Sequence, residues 1–300
     1  MNIPWIAASS DGVWLRGQQV LRDGQIVDDG PVAVDLNQRG DWIAASSDGV
    51  WINGQQVLRD GQIVDSGPAA VGLNRRGDWI AGSSDGVWVN GQQVLRDGQI
   101  VDSGPVAVKI NDKGQWIAGS SDGVWVNGQQ VLRDGQVVDD GPVAVDINEN
   151  GDWLAASSDG AWLNGQQILR DGQVVDSGKV AVALNQKGEW LVASSDGAWH
   201  NGQQVLSDGQ IVDSGPVAVA LNEKGDWLAG SSDGVWLNGE RVLSDGQIVD
   251  DGPLAVALNQ TGDWMAGSSD GVWLNGEQLL RDGQIVDSGK VAVALGERES

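Results

Sequence analysis

One short unit, copied eight times, makes up the whole chain. The hexapeptide SSDGVW begins at Ser9 and returns at a fixed spacing of 37 residues, with SSDGAW at two of the eight positions. The copies begin at Ser9, Ser46, Ser83, Ser120, Ser157, Ser194, Ser231 and Ser268. A unit this short cannot bury an apolar face alone, so each copy must pack against its neighbours. We therefore expect a single domain over residues 1–300, without internal linkers.

Composition excludes several classes of protein. The 300 residues include no Cys, Phe or Tyr, and sixteen Trp, which is two in every unit. Without Cys, neither a disulfide framework nor a thiolate metal site can form. The formal net charge of −24 argues against a nucleic-acid partner, because phosphate binding requires a basic surface. No apolar run approaches ~20 residues and no secretory signal opens the sequence, so we expect a cytoplasmic protein without a membrane partner.

Each unit is predicted to form four antiparallel strands. Runs of β-branched and small residues are interrupted by Gly-containing turns before any of them could complete a stable helix. In a representative unit, the prediction is strand A at Val217–Asn222, strand B at Trp227–Ser232, strand C at Val235–Asn238 and strand D at Arg241–Leu243.

Two turn signals compete to end strand C, namely Asn238–Gly239 and Ser244–Gly246. The chain must then travel from the outer strand of one sheet to the inner strand of the next, about 14 Å, which takes at least four or five extended residues. A turn at Asn238–Gly239 leaves the segment DGQIVDDG for that crossing. The sequence favours this turn.

Four antiparallel strands repeated eight times predict an all-β fold, an eight-bladed β-propeller. The alternative is a β-solenoid, but solenoids stack parallel strands and need polar end caps, whereas this chain has hairpin turns and uncapped ends. The sequence starts at a strand B, with Trp5, and stops just after a strand A, at Val291–Leu295. We therefore expect the N- and C-terminal segments to share one blade, which closes the ring and removes the open sheet edge.

The segment GDWLAGSSDGVW, residues 225–236, resembles the inner hairpin of known β-propeller repeats. The resemblance is greatest to the two-component-regulator type and more distant to the NHL type, and it extends over the whole chain through the repeats. It implies a propeller fold and is not specific to an activity.

Alternation along strand A predicts how neighbouring blades pack. Val217, Val219 and Leu221 fall on one face, and Ala218 and Ala220 fall on the other. Blades can then approach near the axis with large side chains against small ones. The two Trp of each unit lie further out, where the wedge between blades widens, and we interpret them as core residues with Ser or Asn partners for the indole N–H.

Departures from the repeat are the candidates for a site. Asp35, Lys109 and Asp146 share one strand A position that is Gly or Ala in the other units. Charges are rarely buried without partners, so this position should reach water in a central channel, as a solvated wall or a ligand site. His200 replaces an aliphatic residue and Arg16 replaces Asn; we interpret both as tolerated variants, since a lone His lacks further metal ligands.

The repeated acids form a candidate binding rim. One series lies in the B–C turns: Asp11, Asp48, Asp85, Asp122, Asp159, Asp196, Asp233 and Asp270. A second lies in the D–A connections: Asp28, Asp65, Asp102, Asp139, Asp176, Asp213, Asp250 and Asp287. A propeller places both on one face, with the Lys and Arg of the A–B turns opposite. Asp also forms turns without any further function.

The sequence favours a non-enzymatic scaffold or binding module for a protein or peptide. The acidic rim would attract a basic partner through its field. No D-x-D-x-D ladder and no distinct acid–base pair is present, so we expect no metal, no cofactor and no catalytic residue. The alternative is a multivalent lectin whose Trp stack on sugars. The near-identical units indicate recent amplification of one blade or deliberate design from a repeat, and we expect a monomer.

Overall fold

The computed structural model describes residues 3–22, 32–59, 69–96, 98–100, 105–133, 136, 142–170, 173, 179–207, 210, 217–244, 254–281, 285 and 290–298. Within these ranges the chain forms strands and turns only. No helix there has the length and apolar character that crossing a membrane requires. The cytoplasmic location stays a prediction.

Thirty-two strands, numbered in chain order, fall into four kinds. Strands A are β4 (Ala33–Leu36), β8 (Ala70–Leu73), β12 (Ala107–Ile110), β16 (Ala144–Ile147), β20 (Ala181–Leu184), β24 (Ala218–Leu221), β28 (Ala255–Leu258) and β32 (Ala292–Leu295). Strands B are β1 (Trp5–Ser9), β5 (Trp42–Ser46), β9 (Trp79–Ser83), β13 (Trp116–Ser120), β17 (Trp153–Ser157), β21 (Trp190–Ser194), β25 (Trp227–Ser231) and β29 (Trp264–Ser268).

The two outer strands of every sheet complete the set. Strands C are β2 (Gly12–Leu15), β6 (Gly49–Ile52), β10 (Gly86–Val89), β14 (Gly123–Val126), β18 (Gly160–Leu163), β22 (Gly197–His200), β26 (Gly234–Leu237) and β30 (Gly271–Leu274). Strands D are β3 (Gln18–Arg22), β7 (Gln55–Arg59), β11 (Gln92–Arg96), β15 (Gln129–Arg133), β19 (Gln166–Arg170), β23 (Gln203–Ser207), β27 (Glu240–Ser244) and β31 (Glu277–Arg281).

Each sheet pairs four antiparallel strands in the order A–B–C–D. Seven sheets are continuous in sequence, and the eighth joins β32 to β1 in the order β3-β2-β1-β32. Each strand A contacts the strands A of the two flanking sheets, around a circle that returns from β28 through β32 to β4. The fold is an eight-bladed β-propeller with strands A innermost, which confirms the blade shared by the two termini.

The predicted strands and the choice of turn are confirmed to within a residue or two. In the representative unit, strand C ends at Leu237 and strand D begins at Glu240. Asn238 and Gly239 between them have φ of 51° and 89°, the left-handed pair of a type I′ hairpin. Asn tolerates this region better than other residues with a side chain.

The B–C turn depends on its glycine. Gly49 has φ of 147°, and a Cβ there would lie 2.3 Å from the carbonyl oxygen of Leu58 on strand D. The Ser that ends strand B is fully buried, and Ser120 Oγ donates a hydrogen bond to the carbonyl of Ile100 in the D–A connection. The Gly that ends the repeated SSDG therefore shapes the turn, and the Ser that begins it anchors the crossing between blades.

The core lies between blades. At one interface Val217, directly before β24, and Leu221 of β24 belong to one cluster with Ala181 and Ala183 of the preceding β20, as the alternation predicts. All sixteen Trp are buried, none more than 8% exposed, so their interpretation as core residues is confirmed. Replacing one buried Trp by Ala typically costs about 3–5 kcal/mol, and the sixteen together contribute a large share of the burial.

The shared blade predicts that the ring cannot close without β32. Deleting residues 290–300 removes the partner of β1 and the side chains of Val291 and Val293 that pack on Trp5 and Trp14. We expect this variant to aggregate or to melt at a much lower temperature, because a sheet edge and two apolar faces become exposed. Sedimentation and thermal unfolding measure it, with deletion of residues 299–300 as the control. A monomer with unchanged melting would contradict closure by this blade.

The C–D turn of the shared blade predicts a stabilising substitution. Arg16 occupies the Asn position with φ of 52°, whereas Asn53 in the next blade also accepts a hydrogen bond from the backbone N–H of Trp42 at 2.9 Å. Arg16→Asn removes strain and adds such an acceptor, so the free energy of unfolding should rise by about 1 kcal/mol.

The reverse change, Asn53→Arg, is the matched control and should lower the free energy of unfolding by a similar amount. Denaturant unfolding of both variants measures the two effects. Equal stability of the parent and both variants would show that the turn residue does not matter.

Candidate functional site

The eight strands A surround a central channel. Its wall is made by strand A residues of all eight blades, with one Val from every blade and with Asp35, Lys109 and Asp146 among Ala and Leu side chains. The three charged residues that the repeat comparison singled out thus lie in the channel, where Lys109 is exposed to its water and the two carboxylates are half-buried. Their role as a ligand site stays a prediction.

Both channel aspartates bind backbone of two blades. Asp35 accepts hydrogen bonds from the N–H of Leu36 at 2.8 Å and from that of Leu73, in the neighbouring blade, at 2.9 Å. Asp146 accepts them in the same way from Ile147 and Leu184 at 2.9 and 2.8 Å. Strand A is the edge strand on the channel side of its sheet. Its backbone N–H groups that point away from strand B have no strand partner, so they need other acceptors. Each carboxylate therefore joins two blades across that edge.

The channel charges influence one another. Asp35, and to a smaller extent Asp146, raises the pKa of Lys109 above its usual value, against the opposing effect of burial. Burial raises the pKa of Asp146 although Lys109 and the two backbone N–H groups favour its charged form. Lys109 touches channel water yet is enclosed on every side by the wall, which is why the carboxylates affect it so strongly.

An asparagine belt encircles the channel where strands A end. Each Asn donates from Nδ2 to the backbone carbonyl at the same position in the next blade, at 2.8–3.2 Å. Its members are Asn37, Asn74, Asn111, Asn148, Asn185, Asn222 and Asn259. The eighth position is Gly296, where a Cβ would meet Pro4 Cγ at 2.6 Å. The belt therefore ties the blades together and is interrupted at the shared blade.

The residue after each belt position forms the A–B mouth of the channel. Its members are Gln38, Arg75, Asp112, Glu149, Gln186, Glu223, Gln260 and Glu297. From Arg75 to Gln260, each backbone N–H donates to a side-chain oxygen at this position in the next blade, at 2.7–3.0 Å. Arg75 has donors only, and its Nε lies 3.2 Å from Asp112 Oδ2.

The A–B mouth opens into a cavity of about 480 Å³ that extends inward to Asp35 and Lys109. Its described lining includes five acidic side chains and two basic ones, a formal charge of −3. The acidic members are Asp35, Asp112, Glu149, Glu223 and Glu297. A carboxylate can accept about four hydrogen bonds, so an acid that accepts one from the backbone retains capacity for a ligand.

The B–C acids lie where the sequence placed them, around the opposite face. All eight are half-buried turn residues. The backbone N–H of each donates a hydrogen bond to Oγ of the buried Ser two residues earlier, at 3.1–3.2 Å. The D–A series that begins at Asp28 lies outside the described residues. Among the described residues, no three His, Asp or Glu side chains come together as a metal site. A binding role for this rim stays a prediction.

Two of the arginines in the A–B turns, on the face opposite the B–C acids, form ion pairs within their own turns. Arg39 contacts Asp41 at 2.8 Å and Arg76 contacts Asp78 at 2.9 Å, so acids of the same turns compensate these two cations.

His200 lies at the end of a strand C, two strands from the channel wall, with Asn201 Nδ2 3.4 Å from its Nε2. It is remote from the channel, as expected of a tolerated variant.

The acids of the A–B mouth were missed because they vary between units. Repetition drew attention to the B–C series, although a comparison of the units at the residue after the belt Asn would have found Asp112, Glu149, Glu223 and Glu297 together. The sequence signal was a variable polar position beside an Asn that seven of the eight units share.

Asp146 and Asp78 predict opposite effects of pH on stability. Burial raises the pKa of Asp146 above 3.8, so its contribution to stability falls as pH rises from 3.8 through its folded pKa. The hydrogen bond from Asn74 lowers the pKa of Asp78, so its contribution is present above 3.8 and is lost as pH falls through its folded pKa.

Melting temperatures of Asp146→Asn and Asp78→Asn, each relative to the parent, measure these contributions between about pH 3 and pH 7. As pH rises, the relative stability of Asp146→Asn should increase and that of Asp78→Asn should decrease. Differences that move in the same direction, or that do not change, would contradict the assigned pKa shifts.

Comparison with known proteins bears on the fold. The sequence matches no model of a protein family and no curated protein. The structure is similar to the WD40 β-propeller domain of Doa1, with 19% identity over 81% of this chain and 92% of that chain and a TM-score of 0.51. It is also similar to a streptogramin B lyase, with 9% identity over 88% of this chain and 95% of that chain and a TM-score of 0.55. At these identities the likeness shows the fold alone, which is a β-propeller, here with eight blades.

Proposed function

We propose that this protein is a non-enzymatic binding module that holds a basic peptide at the A–B mouth of its channel. The observation that carries the proposal is the 480 Å³ cavity whose described lining has five acidic and two basic side chains. A concave surface with one predominant sign of charge attracts and orients partners of the opposite sign.

The chemistry of the mouth fits a Lys or Arg side chain of the partner. Glu149 and Glu297 each accept one backbone N–H through Oε1, which holds the carboxylates at the rim of the cavity. Asp35 lies deeper on the same side. An ammonium or guanidinium group entering the channel would therefore meet carboxylates along its path, at the rim and then inside.

The non-enzymatic part of the proposal is supported by how the channel acids are engaged. Both oxygens of Asp35 and of Asp146 accept backbone N–H groups, and this favours a structural role over proton transfer. The similarity to a streptogramin B lyase carries no activity to this chain at 9% identity.

The buried Trp leave little support for the lectin alternative. Every indole is at most 8% exposed, whereas a sugar that stacks on Trp needs an accessible ring face.

A further proposal, that the ring was amplified or designed from one blade, is supported by the near identity of the eight units.

A Lys-rich peptide labelled with a fluorophore tests the proposed site. In the triple variant Glu149→Gln, Glu223→Gln and Glu297→Gln, each acid takes the residue found at Gln186 and Gln260, so the side-chain oxygen that accepts the backbone N–H is kept. We expect at least about tenfold weaker binding at low salt, and a weaker dependence of affinity on salt, because three attractive charges are lost.

The control removes three charges from the B–C rim instead, with Asp48→Asn, Asp85→Asn and Asp122→Asn. It should bind the peptide as the parent does. Loss of binding in the rim variant with retention in the mouth variant would move the site to the rim, and absence of binding by the parent would contradict the proposal.

A further inference from the structure

The last residue of each strand A has its backbone N–H on the channel side of the sheet. Directly after β24, Asn222 N–H donates to the carbonyl of Asp226, toward strand B, at 3.0 Å. Because hydrogen bonds alternate along an antiparallel pair, the N–H of Leu221, one residue earlier, points away from strand B. All eight strands A have this register. The channel is therefore encircled by eight such N–H groups.

The two channel aspartates occupy half of this circle. Each accepts one N–H with each carboxylate oxygen, from its own blade and from the next, and the four donors are Leu36, Leu73, Ile147 and Leu184. All four donor residues are buried. The N–H of Ile110 lies beside Gly72, where a Cβ would be 3.5 Å from the Ile110 nitrogen, and Ile110 is buried as well.

The other three N–H groups are open to the channel. They belong to Leu221, Leu258 and Leu295, which end the consecutive strands β24, β28 and β32. None of the three donates a hydrogen bond to another residue in the described ranges. Each follows an Ala in sequence, so no carboxylate stands where the aspartates stand in the other half. The three Leu are half-buried and line a channel cavity of about 380 Å³.

The charges of the channel permit an anion at this place. Strand β12 is four blades from β28 on the ring of eight, so Lys109 stands on the wall opposite Leu258. Its exposed ammonium group forms no hydrogen bond or ion pair with any described residue. The wall already holds Asp35 and Asp146 three blades apart, and a carboxylate beside Ala257 would be two and three blades from them. Lys109 therefore attracts an anion that the aspartates repel little more than they repel each other.

The spacing of the open N–H groups matches that of the occupied ones. Asp35 joins two neighbouring blades with hydrogen bonds of 2.8 and 2.9 Å. The belt bonds from one blade to the next have similar lengths in both halves, 3.0 Å from Asn37 and 3.1 Å from Asn259. Neighbouring blades thus stand equally far apart in the open half, and two of its N–H groups suit the two oxygens of one carboxylate.

We propose that the channel binds the carboxylate group of a ligand on the backbone N–H groups of Leu221, Leu258 and Leu295. The ligand carboxylate takes two neighbouring N–H groups, as Asp35 does on the other side of the channel. Hydrogen bonds from N–H to an ionised acceptor are about twice as strong as those between neutral groups. A small carboxylic acid and the C-terminus of a peptide both offer this group.

Acetate is the first probe, titrated at constant ionic strength into protein that is isotopically labelled on the leucine backbone nitrogens. Nuclear magnetic resonance should show saturable downfield shifts of the amide protons of Leu221, Leu258 and Leu295. Leu36 and Leu73, whose N–H groups already bind an aspartate, should not move. Acetamide has the same shape without the charge and should produce no shift. Absence of a saturable shift with acetate would overturn the proposal.

The variant Ala257→Asp fills the site with a carboxylate of the chain itself. Its new side chain is placed as Asp35 is and should take the N–H groups of Leu258 and Leu295, so that Leu221 is left alone. Acetate affinity should fall at least about tenfold. Melting temperature verifies that the variant is folded. Equal affinity of the parent and this variant would contradict the assigned site.

The matched control is Ala183→Asp, which adds the same charge at the same position of another blade. The N–H of Leu184 is already bound to Asp146, so the new carboxylate reaches only that of Leu221. The N–H groups of Leu258 and Leu295 stay open, and acetate should still bind there. An equal loss of affinity in both variants would show an effect of charge alone and would overturn the proposal.

A neutral peptide that is acetylated at its N-terminus distinguishes the two sources of the carboxylate. Binding that is tighter than that of acetate and is lost on C-terminal amidation assigns the site to the end of a chain. Weaker binding than that of acetate assigns it to a small acid. Neither probe carries a cation, so these results do not depend on the binding of a basic peptide at the A–B mouth.

Discussion

Packing of one blade face on the next is the interaction on which this structure depends. Every blade has two apolar faces, and only a closed ring covers both faces of all eight. The interface of β24 with β20, where large side chains pack on Ala of the preceding strand A, recurs at several other interfaces between blades. The buried Trp fill the outer, wider part of each wedge, where a small side chain would leave a cavity.

Closure creates a second constraint, because the innermost strand of each blade has no partner on its channel side. The exposed N–H groups must find acceptors. Asp35 and Asp146 supply them within the channel, and side chains of the A–B mouth supply them at one end. The polar character of the channel thus follows from satisfying backbone groups, and these same residues bring charge into a concave space.

The two ends of the channel differ because every strand A runs in the same direction along the axis. Residues after strand A collect at one mouth, where acids predominate, and residues before it collect at the other, where Lys179 and Lys290 replace the Pro of the other units. The features that distinguish one blade from another therefore lie at both ends of strand A. The invariant Trp and the B–C acids instead maintain the core and the turns that all blades share.

The sequence alone determined the local structure and the connectivity of this protein. Alternation and turn residues placed all four strands to within a residue or two, Asn238–Gly239 was identified as the C–D turn, and the offset of Trp5 from the last strand A predicted the shared blade. These features depend on neighbours in sequence or on a repeat that can be read directly. Only the tertiary structure decided that Glu149, Glu223 and Glu297 lie close enough together to line one cavity. Those distances depend on the radius of the closed ring, which is set by packing between blades and is not encoded in any single unit.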